Sequence, residues 1–177
     1  MIPQKKVKQY WKNRYAKQGS LTTGYVKHNA EEQAEYYKEK KAFISSVLPD
    51  DLGTVLDYGS GKDRLMASLF DEYKSFDLID GVPFMIKEFD TFFTSNVLQH
   101  NDEKECLRIL KLAKKAKYII LYEATVSEDN TPIKRPHCIS RKISDYEKLV
   151  NKSTCKLIVE AHTHIIHNSS HSLMIFV

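Results

Sequence analysis

The sequence predicts an α/β fold in three layers: a mostly parallel sheet between helices, with an antiparallel hairpin at its carboxyl end. Three observations predict it. Short apolar runs alternate with stretches whose apolar residues recur at helical spacing, the order that builds parallel crossovers. One such run, Val55 and Leu56, leads through Asp57 into a glycine turn at Gly59 and Gly61, and helix-period residues follow. The last two apolar runs are separated only by residues 167–170, a link short enough for a hairpin.

Composition sets the limits. The chain has 177 residues, the size of one domain with a continuous core. Apolar residues make up 42% and charged residues 28%, the balance of a globular protein in water. No apolar run reaches the roughly 18 residues of a membrane span, and the opening MIPQKKVKQYW has lysines where a secretory leader is apolar. Cys106, Cys138 and Cys155 are odd in number and form no C-x-x-C pair, so free thiols in a reducing, cytoplasmic setting are expected. Charge is uneven: residues 1–30 carry +7 and the remainder −3. The expected division is therefore a basic arm over 1–29, packed on an α/β domain over 30–177. Such an arm suits phosphate or RNA, and a solvated lysine-rich lead-in has the same composition.

Taken in order, Tyr10, Trp11, Tyr15 and Tyr25 sit among the lysines of the arm, which should drape over the domain. A helix is expected over 30–48, with Tyr37, Ile44, Val47 and Leu48 on one stripe, ending before Pro49 and a turn at 50–53. The first strand and glycine turn follow, then a helix through Leu65, Met66, Leu69, Phe70 and Tyr73. FDLID (76–80) reads as a second strand ending in Asp80, broken by Gly81, Val82 and Pro83. FDTFFTS (89–95) reads as a buried strand, its aromatics and Phe84 as core. Asp102 and Glu105 form a capping box for a helix with Leu107, Leu110 and Ala113 inward. YIILY (118–122) is a central strand, and 123–143, with Pro132 and Pro136, an irregular loop. Ser144 and Glu147 form a second box for a helix through Leu149, before strands at 156–166 and 172–177.

VLDYGSGKDRL (55–65) resembles motif I of the class I S-adenosylmethionine-dependent methyltransferases. FDTFFTSNVLQHNDEKECLRIL (89–110) is similar to that family's fourth-strand segment, where a strand ends in a VL-x-H turn before a helix. The W-x-x-x-Y element (Trp11, Tyr15) and the closing HSLMIFV extend the likeness over most of the chain. The resemblance is to the type 11/12-like branch in a compact form. It implies a Rossmann-like three-layer sandwich. Only residues 81–88 link the second expected strand to the family's fourth, and a parallel crossover needs about a dozen. The usual third strand is therefore expected to be missing.

The resemblance also implies S-adenosylmethionine as cofactor and methyl transfer to oxygen or nitrogen of a small-molecule or sugar-like acceptor. By it, Asp57, Tyr58, Gly59, Ser60 and Gly61 meet the cofactor's amino-acid end, with the glycine-turn amides on its carboxylate. Asp80 takes the ribose hydroxyls, Asn96 and Val97 line the methionine and ribose, and Tyr15 comes from the amino-terminal element. His100 and His137 are the candidate catalytic residues, and no metal is implied. His100 read on its own is also a residue that holds its turn. Arg135, His137 and Arg141 suit an anionic acceptor or simply an exposed loop.

Other sites fit less well. Lys62 follows Gly61, but Asp63 replaces the Ser or Thr of a phosphate loop, and G-S-G-K-D-R lacks the third glycine of a dinucleotide fingerprint. His162, His164, His167 and His171 crowd the last hairpin without a cysteine or carboxylate spaced to complete a metal set. Ser95-Asn96-Val97-Leu98 is not the proline-rich turn of methyltransferases acting on DNA nucleobases. The reading from another class is a non-catalytic methyltransferase-like module that contacts nucleic acid or a larger assembly through its basic arm.

Overall fold

A computed structural model describes residues 4–19, 29–61, 64–77, 88–131, 133–135, 138–166 and 168–177. Two helices, α1 (Gln4–Gln18) and α2 (Ala30–Val47), precede β1 (Thr54–Tyr58), β2 (Glu72–Phe76) and β3 (Thr91–Ser95). Then come α3 (Glu103–Leu110), β4 (Tyr118–Ala124), a small hairpin of β5 (Ile133–Arg135) and β6 (Cys138–Ser140), α4 (Ile143–Thr154), β7 (Ile158–Ile166) and β8 (Ser169–Phe176). The main sheet runs β2-β1-β3-β4-β8-β7. Its first four strands are parallel, and β8 and β7 run antiparallel. Among the described residues no strand lies outside β2.

The layers follow from strand alternation. Leu56, Phe92, Ile119, Leu121, Met174 and Phe176 pack on one face, with Ile109 and Leu110 of α3 and Leu149 and Val150 of α4. Val55, Phe93, Ile120, Leu173 and Ile175 pack on the other, with Tyr36, Tyr37 and Ile44 of α2 and with Met66 and Phe70. Being buried on both faces is what makes the β3 and β4 segments read as unbroken apolar runs.

Four expectations need correction. The helix after the glycine turn is reduced to a single turn of 3₁₀ helix, Ala67–Leu69, and Tyr73 lies in β2. Arg64 has a left-handed φ of 46°, which interrupts a helical path, while Met66 and Phe70 still reach the core. As a result β2 begins at Glu72 and ends at Phe76, four residues earlier than read, and the acid following it is Asp77. The helix expected from a Ser144–Glu147 box starts at Ile143 instead and extends to Thr154. Glu128 accepts from the Ser144 amide at 3.1 Å and hydroxyl at 2.6 Å, and Asp145 accepts from the Lys142 amide at 3.3 Å. Asp102 does cap α3, accepting from the Glu105 amide at 2.9 Å. The Glu105 carboxylate turns forward to Arg108, at 2.6 Å, rather than back to close the box.

Phe93 has no exposed surface and contacts α2's side of the core, so Phe93→Ala should cost about 4 kcal/mol in urea unfolding. Asp102→Ala should cost only about 1 kcal/mol, the worth of an N-cap.

Candidate active site

The carboxyl ends of β1, β2, β3 and β4 meet at one edge of the sheet. From β1 the chain passes to β2 on one side, while β3 lies on the other, so the topological switch point of the sheet falls between the turns after β1 and β3. Gly59 occupies the first turn with φ 82°, and a Cβ there would stand 2.3 Å from Cγ2 of Val97. Only glycine satisfies both that backbone angle and that approach.

The amides of this turn are already engaged. Gly59 N donates to the Phe76 carbonyl at 2.6 Å and Ser60 N to the same oxygen at 3.2 Å. Gly61 N donates to Asp77 Oδ2 at 3.0 Å. In this structure all three donors of the turn meet acceptors supplied by the protein itself. Because β2 starts early, its last carbonyl and the following acid lie beside the turn and take its donors.

The turn after β3 is held by two buried charges. Val97 N and Leu98 N donate to Glu123 Oε1 at 3.0 and 2.9 Å, and Gln99 N donates to Oε2 at 3.2 Å. The Thr94 hydroxyl adds a fourth bond at 3.1 Å. Burial pushes the Glu123 carboxyl up, and these amides pull against it. On the carbonyl side, Arg141 donates to Leu98 O at 2.9 Å and to Asn101 O at 2.6 Å. Arg141 is 7% exposed, so it braces the turn and is not a free loop charge. Asn96, at φ 59°, opens the turn, and its side-chain oxygen is buried with no hydrogen-bond partner among the described residues. Leaving a buried acceptor without a donor is costly.

Asp57 lies on the α2 side of β1, 1% exposed, and accepts from the Tyr73 hydroxyl at 3.0 Å. Burial raises its pKa to about 7, against the Tyr73 bond and the nearby Lys40. Lys40 of α2 is 2% exposed, its ammonium 4.8 Å from the centre of the Tyr122 ring. Burial lowers its pKa to about 8, opposed by Glu123 and Asp57. Sequence reasoning missed this lysine, because KEKK reads as a solvated run. The available signal was its spacing from Tyr37 and Ile44, which puts all three on one helical stripe.

The other candidates scatter. Tyr58 points to the opposite face from Asp57, its ring 5.0 Å from Phe76 and 5.7 Å from Phe92. Ser60 stays in the turn, its hydroxyl 3.2 Å from the Gly61 carbonyl. His100 ends a single 3₁₀ turn, Leu98–His100, edge-on to Trp11 of α1 with centroids 4.9 Å apart. Tyr15 is half-buried on α1. Asp80, His137 and Phe84 lie outside the described residues. His162 pairs with Glu160 at 3.0 Å, and His164 bridges the Tyr122 hydroxyl at 3.1 Å and Glu39 at 3.3 Å.

No family model matches the chain, and no curated protein matches it by sequence. Solved structures do. A magnesium protoporphyrin IX methyltransferase from Synechocystis, with bound SAH, matches at a TM-score of 0.66 and 14% identity, over 98% of this chain and 99% of that one. A 1,6-didemethyltoxoflavin-N1-methyltransferase from Burkholderia thailandensis, with its acceptor and S-adenosylhomocysteine, matches at 0.70 and 10% identity, over 99% and 90%. The fold is that of the class I S-adenosylmethionine-dependent methyltransferases. The mitomycin 7-O-methyltransferase MmcR shares this methyltransferase fold at a TM-score of 0.57 and 11% identity, over 95% of this chain and 66% of that one. At such identities the likeness is one of architecture.

Removing the Glu123 carboxylate strands three amides, so Glu123→Ala should cost about 3–5 kcal/mol in thermal or urea unfolding, and Glu123→Gln less. Asp57 has a folded pKa of about 7, above its ordinary 3.8. Its contribution to stability is therefore intact below the ordinary value and is lost as pH rises through the folded one. Unfolding measured across this window should show wild type losing stability with rising pH and Asp57→Asn lacking that decline.

Proposed function

We propose that this chain is an S-adenosylmethionine-dependent methyltransferase that transfers a methyl group to oxygen or nitrogen of a small-molecule or sugar-like acceptor. The observation that carries the reading is the Asn96 oxygen, buried without a partner among the described residues at the strand-end edge that also holds Asp57 and Asp77. Three acceptor side chains at one edge suit a ligand rich in N–H and O–H donors. Asp57 would balance the cofactor's ammonium, and Asn96 would accept an N–H or hydroxyl. Asp77, next to the end of β2, stands where the resemblance places an acid for the ribose hydroxyls. When bound, the cofactor supplies a methyl group made electrophilic by the sulfonium.

The protein's part is then to position the acceptor, which can account for much of the acceleration of an in-line displacement. His100 and Trp11 form an aromatic corner beside the β3 turn, and in this reading they seat the acceptor. His137 remains a second candidate from the loop after β4. The solved structures of the same fold include enzymes acting on small molecules such as didemethyltoxoflavin, which supports an acceptor of that class.

A second reading has one observation in its favour. The glycine-turn amides are satisfied internally, and Val97 fills the space over Gly59, as in a module that has ceased to bind the cofactor. Such a module would use its basic amino-terminal arm toward RNA.

Calorimetry decides between them. S-adenosylmethionine and S-adenosylhomocysteine should bind, and Asn96→Ala should weaken both by about tenfold, the worth of one hydrogen bond. Absence of heat with either ligand, joined to salt-steep RNA binding lost on deleting residues 1–29, would establish the second reading instead.

A further inference from the structure

The two outer strands of the sheet are finished differently. β2 is five residues long and exposes Glu72 and Lys74 along its length. A short, charged edge resists pairing with a further chain. β7 runs nine residues, Ile158–Ile166, without a lysine, proline or glycine. Among the described residues no strand lies beyond it. On one face α2 reaches it, where His164 bonds Glu39 and stacks on Phe43 with centroids 4.3 Å apart. On the other face Ala161, Thr163 and Ile165 are exposed, Ile165 at 72%.

Apolar exposure is concentrated here. Among the described residues five large apolar side chains are exposed, and only Leu112 lies away from this strand. Val159 and Ile165 belong to β7, and Leu157 and Val177 pair through their main chains at its start. A long apolar strand at the edge of a sheet is a template for another strand.

The residues of β7 also specify which strand fits. Laid antiparallel to a copy of itself about a two-fold axis at His162, the strand sets Glu160 opposite His164 and Ala161 opposite Thr163. The same register sets Val159 opposite Ile165, so exposed apolar side chains meet each other and an acid meets a base. A parallel copy in register would set Glu160 against Glu160. The bulge between Ile158 and Glu160 bends only the start of the strand, and 160–166 keeps its regular register with β8.

We propose that β7 is the interface of a two-fold dimer in which two copies of this chain join sheet to sheet, β7 against antiparallel β7. Main-chain hydrogen bonds between the outer edges supply affinity, and the alternating side chains fix the register. The inference stands apart from the methyltransferase reading. β8, β4 and β3 separate β7 from β1, so the candidate site is left uncovered. Because the joined strands run in opposite directions, the carboxyl edges of the two copies open on opposite sides of the dimer.

Sedimentation equilibrium tests this on the full chain, in wild type and two double variants. Wild type should be dimeric at the upper end of a range from about 1 to about 100 µM. Val159→Lys with Ile165→Lys sets lysine opposite lysine at both ends of the pairing and should raise the dissociation constant by about tenfold or more. Val159→Glu with Ile165→Lys sets opposite charges at the same places and should restore the dimer. Both positions are exposed, so thermal unfolding should confirm that the variants fold. Should either fail to fold, amide exchange of wild type decides: amides of 158–166 should gain protection as concentration rises, and those of β2 should not. A wild type that stays monomeric, a dimer untouched by the paired lysines, or edge amides indifferent to concentration overturns the inference. A glutamate–lysine variant as monomeric as the lysine–lysine one overturns the antiparallel register on which it is built.

Discussion

Three consecutive amide hydrogens, on Val97, Leu98 and Gln99, converge on the Glu123 carboxylate, and the layout of the sheet's carboxyl edge follows from that convergence. A nest of amides is a strong place for an anion, and here the anion is built into the next strand. Because Glu123 is the next-to-last residue of β4 and the nest follows β3, the two central strands cannot slide past one another without breaking it. Arg141 fixes the opposite side of the same turn through the Leu98 and Asn101 carbonyls. The turn is thus gripped from both ends of its peptide dipoles, which is why Asn96 can sit at a positive φ with an unpartnered oxygen.

Much of this architecture was legible in the residues. The β3 and β4 segments are unbroken apolar runs because they are covered on both sides, and no other setting explains FF and YIILY. The Val55-to-Gly61 stretch marked the first strand and the glycine turn at its carboxyl end. What misled was periodicity over too short a span. Leu65, Met66, Leu69 and Phe70 repeat as a helix does, but a single turn is enough to bury Met66 and Phe70. That one error displaced β2 and moved the strand-end acid from Asp80 to Asp77.

Buried charge was the other blind spot. Nothing local distinguishes Glu123 or Arg141 from the exposed acids and bases of a loop, since their roles depend on carbonyls and amides supplied by distant residues. Lys40 is similar: it is stabilised by rings and carboxylates from α2, β1 and β4, which only the folded chain brings together. Pattern reveals where apolar surface goes; it is silent on which polar groups accompany it inside.

The contact between residue 59 and Val97 also constrains which sequences could share this edge. Trimming Val97 to a smaller residue would clear room for a side chain opposite, but the backbone at 59 would still demand a left-handed angle. The pair is therefore asymmetric: position 97 can drift toward smaller residues while 59 stays glycine, and the reverse order is closed. A divergent relative of this chain would carry its variation on the valine side of the gap.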